Sequence, residues 1–255
     1  MIEKKLNKNY GEFPDSAFWI GGKHAVISAI NNPLRKIYKI VLHERISSVE
    51  HCIEKNRSKI IYLKDKFFNE IFKSEIPHQG YAALLDKIEH GNFKDYIKTK
   101  QNIKKKSNIL ALDGVNDPRN IGSVIRTACA FNIDAILINK KDFNPKSFLL
   151  YKAASGTIEN IPIFAVSNIM NEINFLKKEQ YWIIGLDVNA KTTLHDYKPE
   201  EKNVIIFGSE EIGLKKIVRD NCDYLYKIPI NKNVESLNVS NACSAALAII
   251  NYLQK

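Results

Sequence analysis

Short apolar runs alternate with polar stretches of helical spacing over the second half of the chain. Buried strands are predicted near residues 109–112, 135–138, 161–166, 182–187, 204–207 and 225–230. Between the first two runs, apolar residues recur every three or four positions from Ile121 to Cys129, which predicts an amphipathic helix. We expect Asn120 to cap the start of this helix and Asn132 to follow its end in a left-handed conformation. Strands that alternate with helices in this way indicate a mostly parallel sheet.

The first hundred residues alternate in the same way over a shorter length. Helices are predicted for "KHAVISAINNP", where Asn-Asn-Pro ends the helix, and for "VEHCIEKN". Strands are predicted for "IYKIVLHE" and "KIIYL". The stretch Tyr96–Asn108 then carries five lysines and no acidic residue. We therefore predict a small α/β domain over residues 1–95, a lysine-rich linker over 96–107 and a larger α/β domain over 108–255.

A net positive charge points to an acidic partner. The 255 residues include 38 Lys and Arg against 28 Asp and Glu, a formal net charge of +10. Such a balance favours nucleic acid, and the first hundred residues are the more basic part of the chain. Of the basic residues, however, 32 are lysine, and the chain is also rich in Ile and Asn. An AT-rich genome produces the same bias, so charge alone is a weak indication of an RNA or DNA partner.

Other classes of protein are disfavoured by what the sequence lacks. No apolar run approaches the roughly 18 residues of a membrane span, and "MIEKKLNKNYGEF" has no apolar core of a signal peptide. The four cysteines are far apart without Cys-x-x-Cys spacing, and the six histidines form no metal-ligand pair. We expect a cytoplasmic protein with reduced thiols, no bound metal and no membrane association.

Three polar loops follow predicted strands, and the carboxyl ends of parallel strands share the edge where ligands bind. The first loop, in "LDGVNDPRNIGSVIRTACAF", leads into the helix that contains Arg126. The face predicted opposite the apolar positions of this helix carries Gly122, Ser123, Arg126 and Ala130. Small neighbours leave Arg126 room to meet a ligand near a helix start, where the backbone favours anions. An ordinary solvated arginine explains the same pattern about equally well.

The second and third loops have chemistry of their own. In "VIIFGSEEIGL", Gly208 directly follows a strand and permits close approach of a backbone or a ligand, Glu210 projects from the loop, and Gly213 permits a turn. In "YKIPINKNVESLNVSNACSAALAIINYL", a strand ends at Ile228–Ile230 and a helix begins near Asn238 after a polar loop. Local capping would account for the polar residues of any single loop. Three such loops on one edge indicate a functional site.

Together the three segments resemble the ordered motifs of the SpoU/TrmH family of RNA ribose 2′-O-methyltransferases. The resemblance covers about residues 107–255. The segments "FWIGGKHAVISAINN" and "HQGYAALL" are similar to the ribosomal-protein-like RNA-binding domain of the branch that methylates a guanosine of large-subunit (23S) rRNA. The resemblance implies an α/β fold whose C-terminal parallel-sheet domain contains a deep trefoil knot. It also implies a homodimer with active sites at the subunit interface.

The same resemblance implies the reaction and its residues. S-adenosyl-L-methionine would methylate a ribose 2′-hydroxyl of RNA without a metal. The implied catalytic residues are Asn120, Arg126, Glu210, Ser236 and Asn238. The implied cofactor-binding residues are Gly208, Gly213, Ile228, Ile230 and Leu237. Because arginine stays protonated, Arg126 is better suited to clamp a phosphate and the developing alkoxide than to act as the base, the role the family suggests.

Departures from the family pattern and rival functions are also visible. Lys232, Glu211 and Asn132 stand where the family often has glycine, and Lys232 changes the expected shape of the cofactor loop. The motifs do not separate rRNA from tRNA, so a tRNA ribose methyltransferase is one alternative. A non-catalytic RNA-binding or ribosome-assembly factor is another, against which the intact polar motif residues argue. The basic N-terminal domain favours rRNA.

Overall fold

The computed structural model describes residues 13–72, 77–101 and 106–254. The chain divides into two compact units. The first unit comprises the residues up to Glu89 together with Pro145–Glu159, and the second comprises His90–Asn144 and the residues from Asn160 onward. The two units therefore interleave in sequence, whereas the patterning predicted consecutive domains.

Strands and helices alternate along most of the described residues. The strands are β1 (Phe18–Gly21), β2 (Ile37–His43), β3 (Ile60–Leu63), β4 (Tyr81–Leu85), β5 (Ser107–Asp113), β6 (Ala135–Asn139), β7 (Ile163–Val166), β8 (Trp182–Leu186), β9 (Thr192–Thr193), β10 (Lys202–Gly208) and β11 (Tyr224–Lys227). The α-helices are α1 (Lys23–Asn31), α2 (His51–Glu54), α3 (Asp65–Phe72), α4 (Phe93–Gln101), α5 (Pro118–Ala130), α6 (Phe148–Ala154), α7 (Ile169–Lys178), α8 (Lys216–Arg219) and α9 (Val239–Leu253). Short 3₁₀ turns lie at Arg57–Lys59, Thr157–Glu159 and Leu194–Asp196.

The first unit is built on a four-stranded mixed sheet with the order β1-β4-β2-β3. Strand β4 runs antiparallel to β1 and β2, whereas β2 and β3 are parallel. The predictions of α1, β2, α2 and β3 are confirmed, and α1 ends before Asn32 and Pro33 as expected. The patterning did not predict β1, α3, β4 or α6. Every residue of β4 is buried, so this strand lacks the alternation that reveals a half-buried strand.

A buried ion pair fixes Pro145–Glu159 to the rest of the first unit. Arg35 Nη2 lies 2.9 Å from Glu159 Oε1, and both side chains are buried. The same guanidinium nitrogen donates a hydrogen bond of 2.8 Å to the Tyr151 hydroxyl of α6. Loss of either charged partner would leave the other charge buried and unpaired, at a cost of about 3–5 kcal/mol. Helix α3 supplies much of the aromatic core of this unit.

The second unit is built on a seven-stranded sheet with the order β7-β6-β5-β10-β8-β11-β9. All of its strand pairs are parallel, and β5 pairs with β10 over residues 107–113 and 202–208. The predicted α/β class with a parallel sheet is confirmed, as are the positions of the six predicted strands. One boundary differs, because β11 ends at Lys227 and leaves Ile228–Ile230 in the following loop.

Buried side chains line both faces of this parallel sheet. On one face, Ile109, Ala111 and Ile206 of the central strands pack with residues of α4 and α7. The intervening strand residues, such as Leu110 and Leu112, are also buried, and they point to the opposite face because side chains alternate along a strand. Helices α5 and α9 pack against each other. This contact brings together the helices that follow the first and third predicted motifs.

The stretch predicted as a linker begins inside a helix. Tyr96–Gln101 belongs to α4, and Phe93 and Ile97 of the same helix pack in the core of the second unit. Residues 102–105, which carry two of the lysines, lie outside the described residues. The apolar spacing of Phe93, Tyr96 and Ile97 accounts for the helix, and the high lysine content obscured that spacing.

Candidate active site

The first loop of the site joins β5 to α5, and its geometry corrects one prediction. The Asp117 carboxylate accepts a hydrogen bond of 2.8 Å from Arg119 N. Pro118 occupies the first helical position, where its fixed φ and missing N–H are tolerated. The prediction that Asn120 caps this helix is therefore wrong, and its side chain is free to reach the neighbouring loops. Asn132 follows the helix with a positive φ of 54°, as predicted.

One carboxylate oxygen connects the three predicted motifs. Glu210 Oε1 accepts a hydrogen bond of 2.8 Å from Asn120 Nδ2 and one of 2.6 Å from Asn238 Nδ2. Asn238 Nδ2 also donates to Asn120 Oδ1 at 3.0 Å. The backbone N–H of Val239 donates to the same Glu210 oxygen at 3.3 Å. We call these three side chains the Asn120–Glu210–Asn238 cluster, and it holds the three loops against one another.

Asn238 has two roles, because the two ends of its amide face different partners. Its Oδ1 accepts hydrogen bonds from Ser240 N at 3.0 Å and from Ser240 Oγ at 2.6 Å. This is the N-cap of α9, so the prediction that a helix begins near Asn238 is confirmed. Such a cap contributes about 1 kcal/mol to stability. Its Nδ2 remains available for Glu210, so the start of α9 and the second motif are fixed together.

Arg126 and Ser236 lie outside the hydrogen bonds of this cluster. Arg126 is exposed on α5, and no hydrogen bond or ion pair joins its side chain to another described residue. Ser236 is exposed in the loop before α9 and likewise has no hydrogen-bond partner within the described ranges. The face of α5 predicted to lie opposite its apolar positions is wrong at Gly122, which is buried, and right at Ala130, which is exposed. The exposed side chains of Arg126 and Ser236 are available to a ligand from solvent.

A pocket lies beside the cluster, at the carboxyl ends of the strands. Its volume is about 450 Å³, within the range of small-molecule sites. The five residues predicted to bind a cofactor all line it: Gly208, Gly213, Ile228, Ile230 and Leu237. Glu210 and Ser236 line it as well. The structure thus brings the predicted cofactor residues together with part of the predicted catalytic set.

Two glycines shape the loop at one wall of this pocket. A Cβ atom at Gly208 would collide with the backbone of Gly213 and Leu214. The chain turns back at Gly213, whose φ is +69°. Ser209 closes the turn, because its N–H donates to Gly213 O at 3.2 Å and its carbonyl accepts from Gly213 N at 2.9 Å. The expectation that Gly208 permits close backbone approach and Gly213 a turn is confirmed.

The departures from the family pattern leave the pocket intact. Lys232 is exposed and is not among the residues that line it. Glu211 lines the pocket with an exposed side chain. Asn132 takes the left-handed conformation that glycine would otherwise supply, and asparagine tolerates it better than most residues.

The sequence reasoning missed two charged pairs at the same edge of the sheet. Asp187, which follows β8, forms an ion pair with Arg219, with Oδ2 and Nε 2.7 Å apart, and both residues line the pocket. Asp113, the last residue of β5, is buried and ion-paired with Lys215, whose backbone N–H also donates to it at 3.1 Å. The sequence signal that could have identified these two aspartates is their position at the carboxyl end of a central strand. The second pair ties the chain after Gly213 to β5.

Two thiols of the second unit are held in their protonated form. Burial raises the pKa of Cys243 to about 12, and burial together with nearby Asp223 raises the pKa of Cys222 to about 12. Neither thiol supplies a nucleophilic thiolate at neutral pH. Within the described ranges, no group of three or more His, Cys, Asp or Glu side chains could hold a metal ion. None of the described helices is both long and apolar enough to span a bilayer.

Sequence relatives of this chain fall in one family. Residues 107–248 match the SpoU rRNA Methylase family. A Staphylococcus epidermidis protein named for the TrmH family of tRNA/rRNA methyltransferases is 33% identical over 228 residues, which cover 88% of this chain and 91% of the relative. A Staphylococcus aureus relative named in the same way is 33% identical over 228 residues, which cover 88% of this chain and 92% of the relative.

Solved structures share the fold over almost the whole chain. The SpoU methyltransferase AviRb from Streptomyces viridochromogenes, in complex with AdoMet, superposes with a TM-score of 0.78 at 17% identity, covering 98% of this chain and 92% of that one. An AdoMet-bound rRNA methyltransferase from Sinorhizobium meliloti has a TM-score of 0.78 at 21% identity, covering 98% and 91%. The sequence relatives and the shared fold agree with the three motifs joined at one sheet edge, and the chain belongs to the SpoU/TrmH family of RNA methyltransferases.

Proposed function

We propose that this protein transfers a methyl group from S-adenosyl-L-methionine to a ribose 2′-hydroxyl of RNA. The observation that carries the proposal is the Asn120–Glu210–Asn238 cluster, which joins the three family motifs beside the pocket. A protein that only bound RNA would require neither the cofactor-sized pocket nor its fixed polar rim. This is the main reason to prefer an enzyme over a ribosome-assembly factor.

The pocket residues fit the chemistry of S-adenosylmethionine. Ile228, Ile230 and Leu237 supply apolar walls for an adenine ring. Glu235 lines the same pocket with an exposed side chain and offers carboxylate oxygens to ribose hydroxyls or to the ammonium group of the ligand. When bound, the cofactor supplies a methyl group activated by a positively charged sulfonium. The acidic side chains around the pocket favour a ligand of that charge.

Arg126 is the residue proposed to meet the reacting part of the RNA. It stays protonated at neutral pH, and its exposed guanidinium has no partner within the described ranges. It clamps the phosphate next to the target ribose and stabilises negative charge on the 2′-oxygen, an effect of about 3 kcal/mol for comparable oxyanion donors. Ser236, exposed at the pocket, offers a hydroxyl to the same ribose.

The cluster acts on the reaction through geometry. Glu210 Oε1 already accepts three hydrogen bonds, from Asn120, Asn238 and Val239. Three donors on this one oxygen fix the orientation of the Glu210 carboxylate. Glu210 orients the two asparagine amides and keeps the first turn of α5, which precedes Arg126 on the same helix, at a fixed position relative to the pocket.

The proposed substrate is a guanosine of large-subunit (23S) rRNA. The similarity of the N-terminal segments to a ribosomal-protein-like domain supports this choice, as does the net charge of +10. On this proposal the residues up to about 95 hold the RNA, and those from 108 onward carry out methyl transfer. A tRNA ribose is the alternative substrate, since the relatives are named for both classes of RNA.

The proposal includes a cytoplasmic homodimer with a trefoil-knotted catalytic domain. Family membership supports the knot and the dimer. Large apolar side chains exposed in the second unit also support a subunit interface, because their burial would be favourable. The most exposed are Tyr252 at 76%, Ile212 at 70% and Ile217 at 59%. Ile212 lies in the loop that lines the pocket, as expected of an active site near the interface.

Two measurements test the proposal. Isothermal titration with S-adenosylmethionine should show binding, and radiolabelled methyl groups should then enter RNA at positions that resist alkaline cleavage. Fragments of 23S rRNA and total tRNA, assayed separately, distinguish the two substrate classes. Asn238→Ala serves as the comparison variant, because it removes both the cap of α9 and one donor to Glu210. Absence of cofactor binding with and without RNA would refute the enzyme and leave the RNA-binding alternative.

A further inference from the structure

A second pocket lies along the outermost strand of the parallel sheet. Its volume is about 330 Å³. It is lined by β7, by the segment His90–Lys94 that enters α4, and by Glu172 of α7. None of the residues assigned to methyl transfer borders it. It is therefore separate from the cofactor pocket.

One side of β7 offers unpaired backbone groups to this pocket. Among the described residues β7 pairs only with β6. Pro162 and Val166 turn their carbonyls toward β6, where they accept from Ile136 N and Lys140 N. Ile163 and Ala165 alternate with these residues, so their N–H and C=O groups face away from β6. A ligand at this edge meets both backbone donors and backbone acceptors.

Glu172 provides an acceptor that lacks a donor. Glu172 lines the pocket, and its Oε2 has no hydrogen-bond partner within the described ranges. The side chain as a whole is only partly buried, so its carboxylate can turn an oxygen toward the pocket. A ligand that brings an N–H group to this carboxylate gains a charge-assisted hydrogen bond. The pocket therefore selects for a hydrogen-bond donor at one end.

Aromatic rings form another part of the wall. The rings of Phe93 and Phe164 lie 5.2 Å apart between centroids, and the His90 ring lies 6.0 Å from Phe164. The ammonium group of Lys94 lies 5.5 Å from the centre of the Phe175 ring, beside the pocket lining. A flat ring with polar edges and an attached phosphate matches these features together. Nucleotides have that combination.

The topology places this pocket within reach of the same RNA. Strands β7, β6 and β5 are parallel neighbours, so their carboxyl ends lie on one edge of the sheet. Two strand spacings separate β7 from β5, or about 10 Å. This is comparable with the separation of nearby nucleotides on one RNA strand.

We infer that the pocket between β7, His90–Lys94 and Glu172 binds one unpaired RNA base that carries an exocyclic amino group, which donates to the Glu172 carboxylate. The inference rests on the proposed RNA methylation. Carboxylate side chains accept from the amino group of cytosine in known nucleic-acid complexes, and single-stranded bases are commonly read on their exposed edges. An added peptide strand is disfavoured, because the segment His90–Lys94 lines the same pocket and a volume of about 330 Å³ leaves little room for an extended chain.

The test compares base preference between two matched variants. Glu172→Gln keeps the side-chain size but replaces one acceptor oxygen by a donor, so it loses the selection for an amino group. Asp95→Asn removes the same charge from an exposed position of α4 that does not line the pocket. Binding of short oligocytidylate and oligouridylate is measured for each protein by fluorescence anisotropy. Uracil has a carbonyl where cytosine has the amino group, so it is the disfavoured base.

The parent protein and Asp95→Asn should bind oligocytidylate about tenfold more tightly than oligouridylate, the scale of one hydrogen bond to a charged group. Glu172→Gln should lose most of that ratio while keeping its melting temperature and its affinity for S-adenosylmethionine. An equal ratio in all three proteins would overturn the inference and leave water as the donor to Glu172. Failure of methyl transfer with the base preference intact would refute the proposed reaction alone.

Discussion

Asn238 Nδ2 donates a hydrogen bond of 2.6 Å to Glu210 Oε1, and Asn120 Nδ2 donates to the same atom at 2.8 Å. A single oxygen therefore links loops that leave three different strands of the sheet. None of these side chains is fully buried, so the arrangement is maintained at a surface where water competes for each group. Its persistence depends on the number of shared bonds and on the backbone donor from Val239.

Removal of the shared acceptor should affect both binding and chemistry. Glu210→Ala leaves the Asn120 and Asn238 amides without their common partner, so the loops lose their fixed spacing. We expect the affinity for S-adenosylmethionine to fall about tenfold, the scale of one or two lost charge-assisted hydrogen bonds. Single-turnover methyl transfer should fall further, since Arg126 lies two turns beyond Asn120 on α5. Calorimetry and a rapid-quench assay measure the two effects.

The neighbouring carboxylate is the control for that experiment. Glu211 is exposed, lines the same pocket and makes no hydrogen bond to either asparagine within the described ranges. Glu211→Ala removes the same charge and should retain most of the affinity and rate. Equal losses in the two variants would mean that charge near the pocket matters and that the hydrogen-bonded cluster does not.

The structure brings the predicted site residues to one edge of the sheet, whereas the predicted limits of several elements differ from those observed. Gly208, Glu210 and Asn238 could be proposed from the sequence because each follows a strongly apolar strand or precedes a clear helical repeat. The N-cap of α5 was predicted wrongly because Asp117 and Asn120 are both good caps. The choice between them depends on Pro118, which occupies the first helical position in the folded chain. Asp113 and Lys215 are 102 residues apart, and no local pattern connects them.

The compact units show a second limit of patterning. A boundary at residue 95 would cut through α4, whose Phe93 and Ile97 pack in the core of the second unit. Patterning along the chain also assigned Pro145–Glu159 to the later domain, whereas Arg35 and Tyr151 fix this segment to the first unit. Buried ion pairs between distant segments leave no periodic signal. Truncations should therefore follow the contacts that the structure shows.

The close approach of Gly208 to the backbone of Gly213 and Leu214 predicts an order of stability among glycine variants. In Gly208→Ala the new Cβ collides with the backbone of Gly213 and Leu214, and overpacking of this kind costs about 1–3 kcal/mol. In Gly213→Ala the new Cβ meets open space, so the cost is that of a left-handed backbone at φ +69°, about 1 kcal/mol. Urea denaturation should rank Gly208→Ala as the less stable variant, and the reverse order would contradict the role of this close approach.

His78 predicts a pH dependence of stability in the first unit. Its ring stacks on Phe68 with centroids 4.4 Å apart, and its Nδ1 accepts from Gly80 N at 3.1 Å. Burial lowers the pKa of His78, with smaller contributions from His43 and Lys152, while Asp65 opposes the shift. The folded protein therefore takes up this proton at a lower pH than the unfolded chain, whose histidine pKa is about 6.5.

The sign of the effect follows from that difference. Between the folded and unfolded pKa values of His78 the unfolded chain binds more protons, so the free energy of unfolding rises with pH. The contribution is complete above about pH 6.5 and is lost as the pH falls toward the folded value. His78→Asn keeps an acceptor near the position of Nδ1 but does not titrate. Its melting temperature should depend less on pH between about 5 and 7 than that of the parent, and parallel profiles would refute the assignment.

Arg126 is the residue whose replacement separates chemistry from folding. Its side chain is exposed and has no partner within the described ranges, so Arg126→Ala should keep the melting temperature and the affinity for S-adenosylmethionine. Methyl transfer at saturating RNA and cofactor should fall about a hundredfold or more, the scale of one lost transition-state donor. Arg126→Lys should recover little of this, because a point charge cannot contact phosphate and ribose oxygen as a planar guanidinium does.

Arg119 provides the matched control for that loss. It is exposed on the same helix, seven residues earlier, and carries the same charge. Its removal should weaken RNA binding and reduce the dependence of affinity on salt by about one ion, while the single-turnover rate at saturating RNA stays near that of the parent. If Arg119→Ala and Arg126→Ala lower the rate equally, Arg126 contributes only to RNA affinity. If Arg126→Ala also loses affinity for S-adenosylmethionine, the residue shapes the cofactor pocket, and its assignment as a phosphate clamp is wrong.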